Sequence, residues 1–309
     1  MAVPTRSPAT TLVGGLPVHR IGFGGMRITG TGIWGEPPDR GAAREVVREA
    51  VRLGVDFVDT ADSYGPNVSE EIVAEALHPY PDGLVLATKG GYLRDGPFQW
   101  RADGRPKRLR EACEGSLQRL RLDAIPLYYF HIPDPAVPFE ESIGALAELR
   151  EEGKIVHVGV SNVDLAQLRR AQAIVPIAAV QNHYNLAKRE HEEVLRACER
   201  EGIAFVPWFP LSKGALAGGR SNTLKRIARA HDATPAQVAL AWLLHRSPAI
   251  VPIPGTGNLA HLRENVAAAE IELTRAELAS LESFSAPRKR IPQPLREVAK
   301  KAVRAVRRR

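Results

Sequence analysis

Short apolar, β-branched runs alternate with longer segments of helical period along most of the chain. The strand-like runs are Ile21–Phe23, Phe57–Asp59, Leu84–Thr88, Ala124–Tyr129, Val156–Val160, Ala178–Gln181, Ala204–Trp208 and Ile250–Ile253. Each precedes a segment whose apolar positions recur at helical spacing: Gly41–Leu53, Ser69–Leu77, Lys107–Leu120, Phe139–Glu152, Asp164–Ala173, Glu190–Glu201, Ser221–His245 and His261–Glu270. Asn67 with Glu70 spells a capping box, and Asp164 stands where a helix N-cap is expected. Gly54, Gly153 and Gly202 fall where helices should stop. Ahead of the first unit, Thr11–Val18 predicts a hairpin turning at Gly14-Gly15. Eight βα units in succession predict a (β/α)8 TIM barrel over residues 1–285, with a doubly wound sheet as the rival.

In such a barrel the chemistry lies where strands end on the C-terminal rim. The predicted strands end at Asp59, at Lys89, in Tyr128-Tyr129-Phe130-His131, in Ser161-Asn162, in Gln181-Asn182 and at Trp208. Polar groups therefore collect on one rim.

Composition and charge refine this picture only at the ends. Residues 288–309 hold ten Lys/Arg and a single acid, Glu297, leaving about −2 for the body out of a total of +7. After Pro294, the residues Leu295, Val298, Ala299, Ala302, Val303 and Val306 share one helical face, so 286–309 reads as a basic helical tail. Docking on the barrel, an acidic membrane surface and nucleic acid remain alternatives for it, against a plain solvated helix; no base-reading motif accompanies it. The first residues lack the apolar stretch of a signal peptide, and no run is long enough to span a membrane. The two cysteines, Cys113 and Cys198, make neither a disulfide framework nor a metal-ligand cluster. A cytoplasmic protein without metal is the expectation, with no nucleic-acid partner.

The run Gly30-Thr-Gly-Ile-Trp-Gly35 has the spelling of a dinucleotide fingerprint but the wrong context. Glu36-Pro37-Pro38 follows it, so no helix opens at the third glycine. It reads as a loop after the first strand, lying over the rim.

Taken singly, Asp59, Tyr64, Lys89 and His131 have bland readings: a turn residue, a loop aromatic, a strand-end cation, a structural histidine. Together their segments resemble the aldo-keto reductase family. The matching runs are Asp59-Thr-Ala-Asp-Ser-Tyr-Gly65, Ala87-Thr-Lys-Gly90, Leu127-Tyr-Tyr-Phe-His131, Gly159-Val-Ser-Asn162, Val180-Gln-Asn-His-Tyr-Asn-Leu186, Phe205-Val-Pro-Trp-Phe-Pro-Leu211, Val251-Pro-Ile-Pro-Gly-Thr256 and Leu262-Arg-Glu-Asn-Val266. The Trp-Phe-Pro-Leu variant resembles a bacterial branch related to pyridoxal reductases.

The resemblance implies NAD(P)H-dependent interconversion of a carbonyl and an alcohol. Tyr64 would be the general acid, and its free pKa of about 10 is too high for efficient transfer near neutrality. Lys89 would be the cation that lowers it, Asp59 the counter-charge of that lysine, and His131 the donor that orients the carbonyl. Ser161, Asn162 and Gln181 would hold the nicotinamide carboxamide, Trp208 would stack on its ring, and Pro210, Leu211, Ser212 and Gly214 would cross the pyrophosphate. At the adenosine end, Thr256, Gly257 and Asn258 match the 2′-phosphate loop, and Glu264 and Asn265 the adenine contacts. Two departures fall there: Gly255 stands where a lysine is common and His261 where an arginine is common. Helix-start amides, Thr256 and Asn258 can still hold a phosphate, with Lys213 or Arg263 as a candidate helping cation. NADPH is the expected cofactor, and NADH stays open. The substrate is expected to be a small carbonyl compound with an aromatic or apolar body, lined by Trp34, Phe98, Trp100, Phe130 and Trp208. Arg94, Arg101 and Arg105 leave room for an anionic group on it. A cofactor-sensing regulatory protein on the same fold, or a biosynthetic sugar or polyketide ketoreductase, is the alternative function. Asp56 and Asp62 are expected to be turn or helix-facing residues without catalytic roles.

Overall fold

A computed structural model describes residues 10–216 and 221–283 of the chain. The expected basic tail lies outside the described residues.

The described residues open with the expected hairpin, β1 (Thr10–Val13) and β2 (Leu16–His19), paired antiparallel from Thr10↔His19 to Val13↔Leu16. Its turn residues Gly14 and Gly15 have φ of 61° and 90°, a backbone that side chains other than glycine rarely adopt. Apart from two short strands on the rim, β6 (Tyr92–Gly96) and β7 (Gln99–Ala102), the barrel strands follow: β3 (Phe23–Gly24), β4 (Phe57–Asp59), β5 (Val85–Gly90), β8 (Ile125–Phe130), β9 (Ile155–Ser161), β10 (Ile177–Gln181) and β11 (Ala204–Phe205). They form a parallel seven-stranded sheet in chain order. The eighth stave, Ile250–Ile253, closes it. Phe205 bridges Ile250, the Val251 N–H donates to the Phe205 carbonyl at 2.9 Å, and the Gly22 N–H donates to the Pro252 carbonyl at 3.0 Å. Closure between first and last staves makes this a (β/α)8 barrel and removes the doubly wound alternative.

The helices α1 (Arg40–Arg52), α2 (Val68–Leu77), α3 (Pro106–Leu120), α4 (Phe139–Glu151), α5 (Leu165–Gln172) and α6 (Glu192–Glu201) follow the expected segments. The segment Ser221–His245 departs from expectation. It is two helices, α7 (Asn222–Ala230) and α8 (Pro235–Arg246), because Thr234 caps α8 with Pro235 in its first turn and Gln237 completing a capping box. Next come α9 (Leu259–Ala267) and α10 (Arg275–Glu282), the latter started by a capping box of Thr274 and Glu277. The capping box expected at Asn67 and Glu70 does not form. Asn67 is left-handed, with no side-chain cap bond, and Glu70 turns into the core, accepting from Thr88 at 2.5 Å and Arg119 at 2.6 Å.

Inside the barrel, alternate strand residues interleave: Phe57, Ala87, Leu127, Tyr129, Ala179, Val206 and Val251 pack together, and Val13 and Val18 of the hairpin plug the lower end. Room for Tyr129 comes from Gly159 opposite, where a Cβ would lie 2.4 Å from the ring. Outward-facing residues such as Tyr128, Val158 and Val180 build the second layer, against the helices. The functional rim therefore rests on a filled interior.

Candidate active site

Asp59 is the last residue of β4 and Lys89 the penultimate residue of β5, both pointing into the upper barrel. The Lys89 ammonium, fully buried, donates to Asp59 Oδ1 at 2.5 Å and to the Thr60 carbonyl at 2.7 Å. Gln181, from the end of β10, donates its Nε2 to Asp59 Oδ2 at 2.8 Å. Asp59 is thus held from two sides, and Gln181 is committed to it as well as standing at the expected cofactor wall.

Tyr64 reaches back from the turn after β4 until its hydroxyl lies 3.5 Å from Lys89 Nζ. His131, just past β8, stands edge-to-face with Tyr64 at 5.9 Å and with Tyr92 at 4.7 Å. Its Nδ1 lies 3.4 Å from Ser63 Oγ, and its carbonyl accepts from Asn162 Nδ2 at 3.0 Å. These side chains, far apart in sequence, share one buried cup.

Burial governs the electrostatics. It pushes Asp59 up and Lys89 down, each toward its neutral form, and the mutual contact opposes this for both. His131 falls well below its ordinary value through burial and the nearby Lys89 charge, so the ring is neutral and its outer N–H can donate. Tyr64 is raised well above a free tyrosine by burial first, then by Asp59, Tyr92 and Asp62; Arg94 acts in the opposite direction. The sequence-based expectation assigned the lowering to Lys89. With Asp59 seated on that lysine, its charge is largely cancelled at Tyr64.

Asp62, expected to be a turn or helix-facing residue without a catalytic role, is buried. Its carboxyl is pushed up to about 7, by burial and by neighbouring Glu70, against Arg108 and Arg119. Arg108 lies 3.7 Å away, and Oδ1 has no hydrogen-bond partner among the described residues. Asp56 instead pairs with His19 at the opposite end of the barrel, at 2.8 Å.

The next rim segments interlock. Ser161 Oγ donates to the Gln181 carbonyl at 2.8 Å, and Asn162, left-handed at φ 60°, donates to Ser161 Oγ at 3.0 Å. The Trp208 indole N–H donates to Asn162 Oδ1 at 3.1 Å, while its ring stacks on His183 at 4.2 Å and 15°. After it, Pro210 and Leu211 lead into a short turn, Ser212–Gly214. Thr256 is buried, with Oγ1 accepting from the Asn258 N–H at 3.0 Å; Asn258 caps α9, and Gly257 between them is exposed. Glu264 and Asn265 lie on α9 itself.

Arg263, one of the candidate helping cations, is taken by Glu49 at 2.7 Å. A residue missed from the sequence stands nearer. Arg27, in the turn after β3, is exposed; its Cγ would be 3.4 Å from a Cβ at Gly255, and its carbonyl 3.2 Å from one at Gly257. A Cβ at Gly255 would also lie 2.7 Å from the Gly24 carbonyl oxygen, so the backbone packs closely at this glycine and Arg27 borders it.

The pocket wall also differs from expectation. Within residues 91–106 the chain forms a hairpin, β6 (Tyr92–Gly96) and β7 (Gln99–Ala102). Trp100 on β7 stands edge-on to Tyr64 at 6.4 Å. Trp34 bridges to Gly65, so the glycine-rich run of the first loop is pinned beside Tyr64 and carries no fingerprint helix. Phe130 does not line the pocket: it is fully buried in the outer core, with Phe139 at 6.1 Å, because strand alternation turns it away from the barrel axis. Phe98 sits at the hairpin tip, 72% exposed, against Gly32. Arg94 gives all its donors to backbone carbonyls, Arg101 pairs with Asp95, and Arg105 pairs with Asp103 at 2.5 Å. The room expected for an anionic substrate group is therefore not furnished by these arginines.

A closed βα barrel with a lysine–carboxylate pair, a phenol and a histidine on its rim defines a class, and comparison agrees. Residues 20–286 match the model of the aldo/keto reductase family, and the chain belongs to it. It is 44% identical over 281 residues to an uncharacterized oxidoreductase of Schizosaccharomyces pombe, covering 91% of each chain. It is 42% identical to pyridoxine 4-dehydrogenase of Escherichia coli, over 90% of this chain and 99% of that one. Among solved structures, an aldo/keto reductase from Klebsiella pneumoniae with NADP and acetate superposes with a TM-score of 0.76 at 28% identity, covering 91% and 97%. A thermostable aldo-keto reductase in complex with the inhibitor epalrestat gives 0.77 at 32% identity, covering 89% and 98%. No helix among the described residues is long and apolar enough to cross a membrane, and no group of metal-ligating side chains occurs among them.

Proposed function

We propose that the protein is an NADPH-dependent reductase of small aldehydes, with an aromatic heterocyclic aldehyde of the pyridoxal type as its preferred substrate class. The observation that carries the reading is the buried contact of Tyr64 with Lys89, itself seated on Asp59, beside a neutral His131. The substrate class is supported by the aromatic wall of Tyr92, Trp100 and Trp34, and by the likeness to pyridoxine 4-dehydrogenase.

The residues present fit a nicotinamide dinucleotide. The Trp208 indole is held by Asn162 and His183 as a platform; Ser161 and Gln181 stand beside it; and the 256–265 segment offers a capped helix start with Arg27 alongside. Pro210, Leu211, Ser212 and Gly214 would lie along the pyrophosphate, and Glu264 and Asn265 at the adenine. When bound, the dinucleotide supplies the hydride. His131 donates a hydrogen bond to the substrate oxygen and fixes its orientation. Tyr64 donates its proton to that oxygen as negative charge develops, leaving a phenolate beside Lys89. Asp59 keeps Lys89 protonated and in place, and Gln181 keeps Asp59 turned toward it.

The decisive experiment follows NADPH oxidation with pyridoxal, 4-nitrobenzaldehyde and glyceraldehyde, in the parent and in Tyr64→Phe. The parent should turn over, fastest with the aromatic aldehydes. Tyr64→Phe should lose turnover about 1,000-fold while binding NADPH as before. Retained turnover in that variant would remove Tyr64 as the acid. Tight NADPH binding without turnover of any aldehyde would favour the cofactor-sensing alternative.

A further inference from the structure

Arg94 lies on β6, away from every segment that carries the recognised chemistry. Its guanidinium has five N–H donors, and all are used. Nε donates to the Gln99 carbonyl at 2.9 Å; Nη1 to Ile33 at 2.7 Å and Ser63 at 2.9 Å; Nη2 to Gly32 at 3.0 Å and Gly96 at 3.2 Å, in each case to the backbone carbonyl. The same group lies 3.7 Å from the centre of the Trp100 ring and 5.7 Å from that of Trp34. One side chain therefore joins the first rim loop, the turn before Tyr64, and the β6–β7 hairpin.

The partners are all neutral. The rim cations around it are compensated: Lys89 by Asp59, Arg101 by Asp95, Arg105 by Asp103, and Arg108 faces Asp62. Arg94 makes no ion pair among the described residues, and Trp100, on which it lies, is the ring edge-on to Tyr64 at 6.4 Å. The groups facing Tyr64 are thus Lys89 with Asp59, the carboxyl of Asp62, the Tyr92 phenol, neutral His131 and Arg94. Among these, Arg94 is the positive charge without a carboxylate on it.

We propose that Arg94 is a positioning residue for the acid: it clamps Ser63, the Trp34 loop and the Trp100 hairpin into one pocket wall, and presents Tyr64 with an uncancelled positive charge. The proposal rests on Tyr64 acting as the proton donor. The two parts of the role separate by chemistry. The clamp needs the planar fork of five donors, which lysine lacks; the field needs only the charge, which lysine keeps.

The test compares the parent with Arg94→Gln and Arg94→Lys, using 4-nitrobenzaldehyde and NADPH at pH 7, with NADPH affinity measured separately by fluorescence. Proton donation leaves Tyr64 as a phenolate, and the facing positive charge favours that phenolate, so Arg94→Gln should lower kcat about ten-fold and Arg94→Lys, which keeps the charge, should restore it. Both variants should raise KM about ten-fold, because the wall is no longer held. NADPH affinity should stay unchanged in both. A kcat in Arg94→Gln equal to the parent's, or one that Arg94→Lys fails to restore, overturns the electrostatic role, and an unchanged KM in Arg94→Lys overturns the clamp. If Arg94→Gln does not fold, Arg94→Met takes its place with the same readouts. Failure of the acid assignment is read separately, from retained turnover in Tyr64→Phe.

Discussion

Replacing Asp59 by asparagine tests the charge arrangement at the heart of the site without using catalysis as the readout. The change keeps the shape and removes the negative charge. Lys89 is then a cation with no exposure, facing the Thr60 carbonyl, the Tyr64 hydroxyl, the Tyr64 and Tyr129 rings and the new amide, with no carboxylate on it. Removing one partner of a buried pair costs about 3–5 kcal/mol. An independent ceiling follows from the lysine itself, which can shed its proton. Neutralising a lysine of ordinary pKa about 10.4 at pH 7 costs roughly 4.6 kcal/mol, at about 1.36 kcal/mol per unit. The charge-dependent loss cannot exceed that value, so the two figures agree. The direction with pH also follows. In the variant the folded-state pKa of Lys89 is depressed below its unfolded value, because burial is no longer opposed by Asp59. Between the two values the unfolded chain binds the extra proton, so variant stability rises with pH by up to about 1.4 kcal/mol per unit. Urea unfolding of parent and variant at pH 7 and pH 9 provides the measurement. The variant's deficit should shrink by roughly 2–3 kcal/mol between those pH values. A deficit that is the same at both would mean that Asp59 does not serve as the counter-charge of Lys89.

Three further outcomes are expected. Gly159→Ala places a Cβ 2.4 Å from the rigid Tyr129 ring in the barrel interior, and should destabilise by about 1–3 kcal/mol, read as a lowered Tm; an unchanged Tm would mean the interior is loosely packed. Arg27→Ala should weaken NADPH about ten-fold by fluorescence titration and leave NADH unaltered, since only the 2′-phosphate would lose a charge-assisted contact; equal weakening of both would remove the phosphate assignment. Thr234→Ala should cost about 1 kcal/mol through loss of the α8 cap, seen as a shifted urea midpoint.

The barrel and its rim were legible because both are periodic: apolar runs set the staves, and a polar residue where each run stops sets the rim. What the periodicity concealed is instructive. The break between α7 and α8 carried a clear signal in Thr234-Pro235 and Gln237, but apolar residues stand close on both sides of it, Leu224, Ile227 and Ala228 before and Ala236, Val238 and Ala239 after. Asn67 and Glu70 had capping-box spelling, yet Arg119 and Thr88, distant in sequence, gave Glu70 a better use in the core. The β6–β7 hairpin has a short turn with Phe98 at φ 59°, a conformation that phenylalanine does not advertise. Phe130 faces the outer core and not the expected pocket, a matter of strand parity that flanking residues settle. The role proposed for Arg94 was out of reach from sequence, because its partners are backbone carbonyls, and carbonyls have no residue identity.

The barrel is zipped unevenly around its circumference. Under Asp59, Lys89 and His131 the ladders run continuously, through Phe57↔Val85 and Ala87↔Leu127 to Phe130↔Val160. Between β10 and β11 they shorten to two paired positions and the His183↔Trp208 bridge, between β11 and the eighth stave to the Phe205↔Ile250 bridge, and the join back to the first stave is the Gly22–Pro252 bond. The segments proposed to hold the dinucleotide, from Trp208 to Asn265, hang on this thinly laced quarter. Amide exchange should therefore be fastest there in the free protein, and NADPH should slow it by lacing across the gap. The reagent carrying the hydride would then act as the missing rungs of the scaffold.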